Sequence, residues 1–168
     1  EEGGLYKYDG TTWTPYLKSD GLVNNMVTCL AIDLSGHLWI GTEGGVSEYA
    51  GGQWTNYTTA NGLFNNGTHS LAVDDENHIW IGTHYNRIME FDGTSFVNYQ
   101  VNPLPTGQDN TGHIHSLVFD TQGKLWVASY MTGLSIYDGT NWSHYVHGMT
   151  SFVNAIHCSA SGDIWVGN

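Results

Sequence analysis

Histidine is the residue this chain has in quantity for chemistry: nine histidines stand against four lysines and arginines together in 168 residues. A neutral imidazole offers a lone pair and changes charge near neutral pH, so it serves as metal ligand, proton acceptor or polar contact. Two of the nine acquire a shared place when the sequence is laid against its own tryptophans. Eleven residues ahead of Trp39, Trp80, Trp126 and Trp165 stand Thr28, His69, His115 and Asn154. Four side chains at one repeat position form a ring, able to hold a metal or a small polar ligand. The plainer alternative is a solvated channel lined by polar groups, and the favoured reading assigns no metal and no cofactor. A few residues after each tryptophan, Glu43, His84 and Tyr130, with Glu1 or Glu2, occupy a second shared position. His84-Tyr85-Asn86 and Tyr130-Met131-Thr132 replace the form Glu43-Gly44-Gly45, which marks a candidate binding rim; His113 and Trp13 are weaker candidates. The histidines lack zincin spacing, and no nucleophile elbow, phosphate loop, Cys-x-x-Cys or EF-hand register occurs. The chain is therefore read as non-enzymatic.

The elements that must position these residues follow from a repeated phrase. His37-Leu38-Trp39-Ile40-Gly41-Thr42 returns as His78 to Thr83, Lys124 to Ser129 and Asp163 to Asn168, with tryptophans 41, 46 and 39 residues apart. A period near 40 built from short strand-like runs is the signature of propeller blades of four strands each. Leu-Trp-Ile without alternation predicts a second strand covered on both faces, with the tryptophan packing between blades. Ahead of it runs an innermost strand, Val27 to Ile32, Thr68 to Val73, Ile114 to Phe119 and Val153 to Cys158, closed by a turn that Asp33, Asp74 and Asp120 open in the first three copies and Ser159 in the fourth. Such an aspartate bonds its own backbone, a structural duty. After it come two alternating outer strands around Asp-Gly-type turns, as in Leu5-Tyr6-Lys7-Tyr8 and Trp13-Thr14-Pro15-Tyr16. Polar connections, two of them Ser19 to Asn25 and Ala60 to Asn66, carry most of the length variation; the third spans Gln100 to Gly112 and the fourth His147 to Phe152.

The chain opens on outer strands and stops on inner ones, so joining its ends completes one more unit. The prediction is an all-β, four-bladed β-propeller of four-stranded antiparallel blades in a single domain, 1–168. Its fourth blade is shared between 1–16 and 153–168, with N-terminal outer strands closing on C-terminal inner strands; this removes free strand edges.

Composition narrows the partners. A net charge of −12 repels phosphate backbones and anionic membranes, so nucleic acid is a poor partner and solubility the plain reason for the charge. No apolar run reaches the length of about 18 residues that a spanning helix needs, which gives no membrane insertion. Twenty-two glycines suit a turn-rich β chain. Cys29 and Cys158 fall on positions of opposite parity and are expected as buried free thiols. Low charge and scarce cysteine suggest an extracellular or periplasmic bacterial protein. The sequons at Asn56, Asn66 and Asn141 would matter only in a eukaryotic secretory route.

The set Asp20-Gly21-Leu22, Asn24-Asn25, Asp33, Gly36, Leu38-Trp39-Ile40-Gly41-Thr42, Gly45-Val46 and Tyr49 resembles the two-component regulator propeller repeat. That resemblance covers essentially the whole chain. It implies a β-propeller like the sensor regions of bacterial membrane histidine kinases, which often read carbohydrates in the periplasm, although those sensors have many more repeats. Three functions stay open. The first is a non-enzymatic module that binds a carbohydrate or other polar ligand, or assembles with itself through its terminal strands as a homo-oligomer or filament. The second is the ligand-sensing part of a two-component sensor. The third is an enzyme of the streptogramin lyase kind working through channel histidines.

Overall fold

The computed structural model describes residues 3–101, 112–130, 132–145 and 152–168. Glu1, Glu2, Met131 and most of the third and fourth connections, including Pro103, Pro105 and His147, lie outside them. Among the described residues sixteen strands follow one another: β1 (Leu5–Tyr8), β2 (Trp13–Tyr16), β3 (Val27–Ile32), β4 (Leu38–Thr42), β5 (Gly45–Ala50), β6 (Gln53–Tyr57), β7 (Thr68–Val73), β8 (Ile79–Thr83), β9 (Arg87–Phe91), β10 (Phe96–Gln100), β11 (Ile114–Phe119), β12 (Leu125–Ser129), β13 (Gly133–Tyr137), β14 (Trp142–Tyr145), β15 (Ala155–Cys158) and β16 (Ile164–Gly167). β3–β6, β7–β10 and β11–β14 are four-stranded antiparallel meanders, here called the first, second and third blades. Their innermost strands β3, β7, β11, and after them β15, run side by side in that order.

The core lies between blades rather than within them. Trp39 and Val46 of the first blade meet Ile79, Ile81, Met89 and Phe91 of the second; Trp80 and Ile88 of the second meet Ile114, Leu117, Leu125 and Val127 of the third. This explains why the second strand of a blade reads as a continuous apolar run: both faces of β4 and β8 are covered, with Ile40 and Ile81 fully buried. Gly41 and Gly82 are needed there because the next blade's inner strand crosses close by. A Cβ on Gly82 would strike Ser70 and Ile114, and one on Gly41 would strike Cys29 and Thr68. Both cysteines are free thiols, and burial pushes the Cys29 thiol up to about 11.

The turn aspartates do more than cap their turns. Asp33 accepts from the amides of Ser35 (2.8 Å) and His37 (2.9 Å) through one oxygen and from the Trp39 indole (3.0 Å) through the other. Asp74 holds Trp80, and Asp120 holds Trp126, in the same way, each at 2.8 Å. The indole is thereby fixed flat against a tyrosine of its own blade, Trp39 on Tyr57 and Trp80 on Tyr99.

The ends form two short sheets. β1–β2 and β15–β16 are separate two-stranded sheets; the predicted ladder between β16 and β1 that would make them one blade is not among the described pairings. β1–β2 lies on the first blade, where Leu5 joins Leu22 and Ile40 and Tyr16 packs near Tyr49 and Trp54. The Gly4 amide bonds the Asn25 carbonyl at 2.7 Å, which ties the N-terminal segment to that blade. β15–β16 lies on the third blade through Ile156, Ile164 and Val166. Trp165 has no turn aspartate, since Ser159 takes that place, and stands 68 % exposed, whereas Trp39 is 3 % exposed. Trp13 at the other end is 63 % exposed.

Candidate functional site

The edge that carries the blade-to-blade connections is built by a repeated pair of asparagines. Asn24 and Asn65 accept the amide two residues on, from Met26 and Gly67. Asn25 and Asn66 reach back to the amides of Lys18 and Thr59, which open the short 3-10 turns Lys18–Asp20 and Thr59–Asn61. Leu22 and Leu63, one from each connection, plug the space between neighbouring sheets at 1 % and 3 % exposure. The connections are therefore held at both ends, and each delivers its inner strand in the same register.

That register contains a β-bulge. The ladder slips between Val27 and Cys29, between Thr68 and Ser70, and between Ile114 and Ser116. The residue left out of the ladder is Thr28, His69 or His115, three of the four members of the predicted ring. A bulge frees a side chain from the pleat and re-aims it, and here it does so once per blade. Thr28 spends its freedom on structure, its hydroxyl donating to the Thr68 carbonyl of the next blade. Asn154, the fourth member, is exposed just ahead of β15, and its amide bonds the Gly167 carbonyl at 2.9 Å.

His69 meets His84, which the loop after β8 brings to it: the two Nε2 atoms are 3.1 Å apart. His113, just ahead of β11, joins them through a backbone bridge to His84. The ring centroids of His69, His84 and His113 are 4.5 Å (69 to 84), 4.3 Å (84 to 113) and 5.1 Å (69 to 113) apart. Glu43, from the corresponding loop of the first blade, sets Oε2 3.8 Å from His84 Nε2. His115 lies beside His113 at 6.3 Å and Tyr130 beside His115 at 6.0 Å. Of the predicted residues, His69, His84 and Glu43 thus gather at one point, His115 and Tyr130 extend the line, and Thr28 and Asn154 stand outside it. His113, a weaker candidate by sequence, belongs at the centre. Its signal was the alternation His113-Ile114-His115, two imidazoles at a strand's start.

The loop that positions His84 is strained. Tyr85 and Asn86 have φ of 63° and 51°, a left-handed conformation uncommon for side-chain-bearing residues. It is held by Asn86, fully buried, whose amide bonds the Gly112 carbonyl and whose Oδ1 accepts from Ser129 at 2.6 Å. Gly67 leaves room for the ring, since a Cβ there would overlap His84 Nε2 and Cδ2.

Burial holds the pKa values of His69, His113 and His115 below the ordinary histidine value, and the neighbouring His84 lowers those of His69 and His113 further. These rings are neutral at neutral pH and present lone pairs. His113 Nδ1 and His115 Nε2 are buried without a hydrogen-bond partner among the described residues.

Two other groups of acids and histidines sit at the opposite edge. His37 Nδ1 lies 2.8 Å from Glu48 and His78 Nδ1 2.8 Å from Glu90, while Tyr57 and Tyr99 donate to the same carboxylates. A groove of about 450 Å³ there, lined by Asp74, Trp80, Glu90 and Tyr99 among others, recurs in smaller form between the first two blades. Its polar groups already bond one another, which makes it a product of blade stacking.

Comparison with known proteins agrees with this architecture. The extracellular domain of the B. thetaiotaomicron protein BT4673, assigned to a one component or hybrid two component system, superposes with a TM-score of 0.79 at 23 % identity over 98 % of this chain. That of BT3049 from the same organism gives 0.78 at 23 % identity, also over 98 %. The chain spans 24 % and 23 % of those structures, about a quarter of their length. A virginiamycin B lyase of Staphylococcus aureus gives a TM-score of 0.72 at 15 % identity, over 94 % of this chain and 53 % of the lyase. These likenesses establish a propeller-type fold of stacked four-stranded sheets. No curated protein sequence matches the chain. Residues 21–44 and 62–85 match the family described as two component regulator propeller, so these two stretches carry that repeat.

Proposed function

We propose that the chain is a non-enzymatic, extracytoplasmic ligand-binding section of a sensor-type propeller, and that the edge bearing His69, His84, His113, His115, Tyr130 and Glu43 receives the ligand. The observation that carries this reading is the bulge at His69 and His115, which takes two imidazoles out of the ladder and turns them toward two more on the loops. Likeness to extracellular domains of bacterial signalling proteins supports the sensor assignment and the location outside the cytoplasm. No helix among the described residues is long and apolar enough to cross a membrane. The ligand class is a carbohydrate or another small polar molecule, matched to hydrogen-bonding imidazole rings beside one tyrosine. A thermal-shift series with neutral and acidic saccharides tests it. A ligand that raises the melting temperature of the unaltered chain, with loss of the shift in His115→Ala and Tyr130→Ala, supports the site; equal shifts in all three sink it.

A second reading is favoured by the exposed aromatic ends. Tyr6, Tyr8 and Trp13 on β1–β2 and Trp165 on β16 occupy faces that elsewhere in the chain pack blade on blade. They would pair either within one chain, closing the predicted four-bladed ring, or between copies, head to tail. Sedimentation at rising concentration separates the two, since closure within the chain leaves a monomer and pairing between copies does not.

A further inference from the structure

We infer that His69, His84 and His113 form a binding site for a borderline divalent transition metal, zinc or its neighbours, with Glu43 as the adjoining carboxylate. The inference rests on the reading of this edge as the binding site and names what it binds first.

The converging rings carry unmatched acceptors. One nitrogen from each of the three rings lies within 4.8 Å of the others. A tetrahedral metal with nitrogen ligands at about 2.0–2.1 Å separates them by about 3.3 Å, close to the 3.1 Å between His69 Nε2 and His84 Nε2. The hydrogen bond between the rings, His69 Nε2 to His84 Nε2, uses one N–H, and no such bond joins His113 to either ring among the described residues. His113 Nδ1 is buried with no partner among the described residues, so one end of that ring is unmatched. A cation uses all the converging lone pairs at once, and Glu43 Oε2, 3.8 Å from His84 Nε2, offsets its charge. The donor set of three imidazoles and a carboxylate suits zinc, copper, nickel or cobalt; the oxygen-rich shells of calcium and magnesium are a poor match.

The positions of the ligands say what the metal would do. Glu43 comes from the first blade, His69 and His84 from the second, and His113 from the start of the third, so the ion would tie three blades together along the ligand-facing edge. With three protein nitrogens bound and the carboxylate at the margin, a coordination position is left for an oxygen of a polar ligand. Gly67 and the strained Tyr85-Asn86 turn are the local adaptations that let His84 reach this point.

The two acid-histidine groups at the opposite edge, Asp33-His37-Glu48 and Asp74-His78-Glu90, are the internal competitors. Each ring there already shares its Nδ1 with a carboxylate. The test uses the untagged chain freed of metal by chelation. Cobalt(II) is titrated with the visible ligand-field bands as readout, and zinc(II) by calorimetry. One equivalent of tetrahedral cobalt is expected, displaced by zinc. His84→Ala and His69→Ala, checked for native circular dichroism, are each expected to weaken binding by about 100-fold or more, beyond the 10- to 100-fold typical of outer-shell changes. His84→Asn serves if the alanine variant unfolds. His37→Ala and His78→Ala are expected to leave affinity unchanged. The inference is overturned if cobalt stays octahedral and weak, or if binding follows His37 and His78. Saccharide binding that persists in the chelated protein while no tetrahedral site forms would overturn the metal and leave the proposed ligand edge standing.

Discussion

Replacing Asp33 by asparagine keeps shape and removes charge at a site where the structure sets the cost. The carboxylate accepts two backbone amides through one oxygen and the Trp39 indole through the other, and its side chain is 4 % exposed. The asparagine oxygen can still serve the two amides. Its NH2 then faces the indole N–H, so a charge-assisted bond becomes a donor against a donor with no water to relieve it. A hydrogen bond to a charged group contributes about 1.5–3 kcal/mol, and an unsatisfied buried donor costs about 1–3. Because the asparagine retains part of the pattern, the expected loss is about 2–3 kcal/mol. At roughly 2–4 °C per kcal/mol for a chain of this size, the melting temperature should fall by about 4–12 °C. Thermal unfolding at pH 7, followed by near-ultraviolet circular dichroism of the indoles, measures it. Asp9→Asn is the control: Asp9 accepts from two amides in an exposed turn and holds no indole, so the variant's melting temperature should stay close to that of the unaltered chain. Trp39→Phe removes the indole N–H, and in that background Asp33→Asn should cost about 1–2 kcal/mol less. Acid gives a further check. Burial raises the pKa of Asp33, but the bonds from Trp39, His37 and Ser35 outweigh it and hold the group below the ordinary carboxylate value. The stability this confers is complete above about pH 4 and is lost as pH falls through the folded-state pKa, so the gap between the two proteins should close in that window. A fall under about 1 °C at pH 7, or an undiminished one in the Trp39→Phe background, refutes the reasoning.

Three further outcomes follow from the packing. Leu22→Ala empties a fully covered plug between β1–β2 and the first blade and should cost about 3–5 kcal/mol in denaturant unfolding, whereas Leu34→Ala, at 70 % exposure, should be near neutral. Gly67→Ala pushes a methyl into the His84 ring and should cost about 1–2 kcal/mol while shifting the His69 and His84 imidazole resonances; unmoved resonances would count against the contact. Cys29, with its thiol pushed up to about 11 by burial, should resist alkylation at pH 8 in the native state and react once unfolded, as read by mass spectrometry; labelling of the native chain within minutes would contradict that burial.

The repeat was legible because local and long-range signals agree in it. Asp-Gly turns, unbroken Leu-Trp-Ile runs and a steady tryptophan spacing all point to the same blade, and the inner strands β3, β7 and β11 begin and end where they were expected. Counting from the tryptophans also found His69 and His115, and the broken Glu-Gly-Gly form found His84. The bulge was not legible, since no glycine marks it, and it separates Thr28, which bonds the neighbouring blade, from His69, which meets other rings. The weight of His113 was hidden because its partners, His84 and His69, belong to the preceding blade. The bond from Asp33 to Trp39 was hidden as well, because a turn and a strand's twist must be known before two residues six apart are seen to meet. The expected closure of the termini came from matching motifs end to end.

The placing of the core between successive sheets has a consequence for how the molecule opens. Each sheet is held by its immediate neighbours and by little else, so the energetics are those of a line of coupled units rather than of one indivisible body. Among the described residues, the two short sheets at the ends lie on the first and the third blade. Amide exchange should therefore be fastest in β1–β2 and β15–β16 and slowest in the second blade, whose neighbours cover both faces. Whatever spans the rim at His69, His84 and His113 couples the second blade to the third and steepens that gradient, so occupancy there would be read as a change in cooperativity along the whole line.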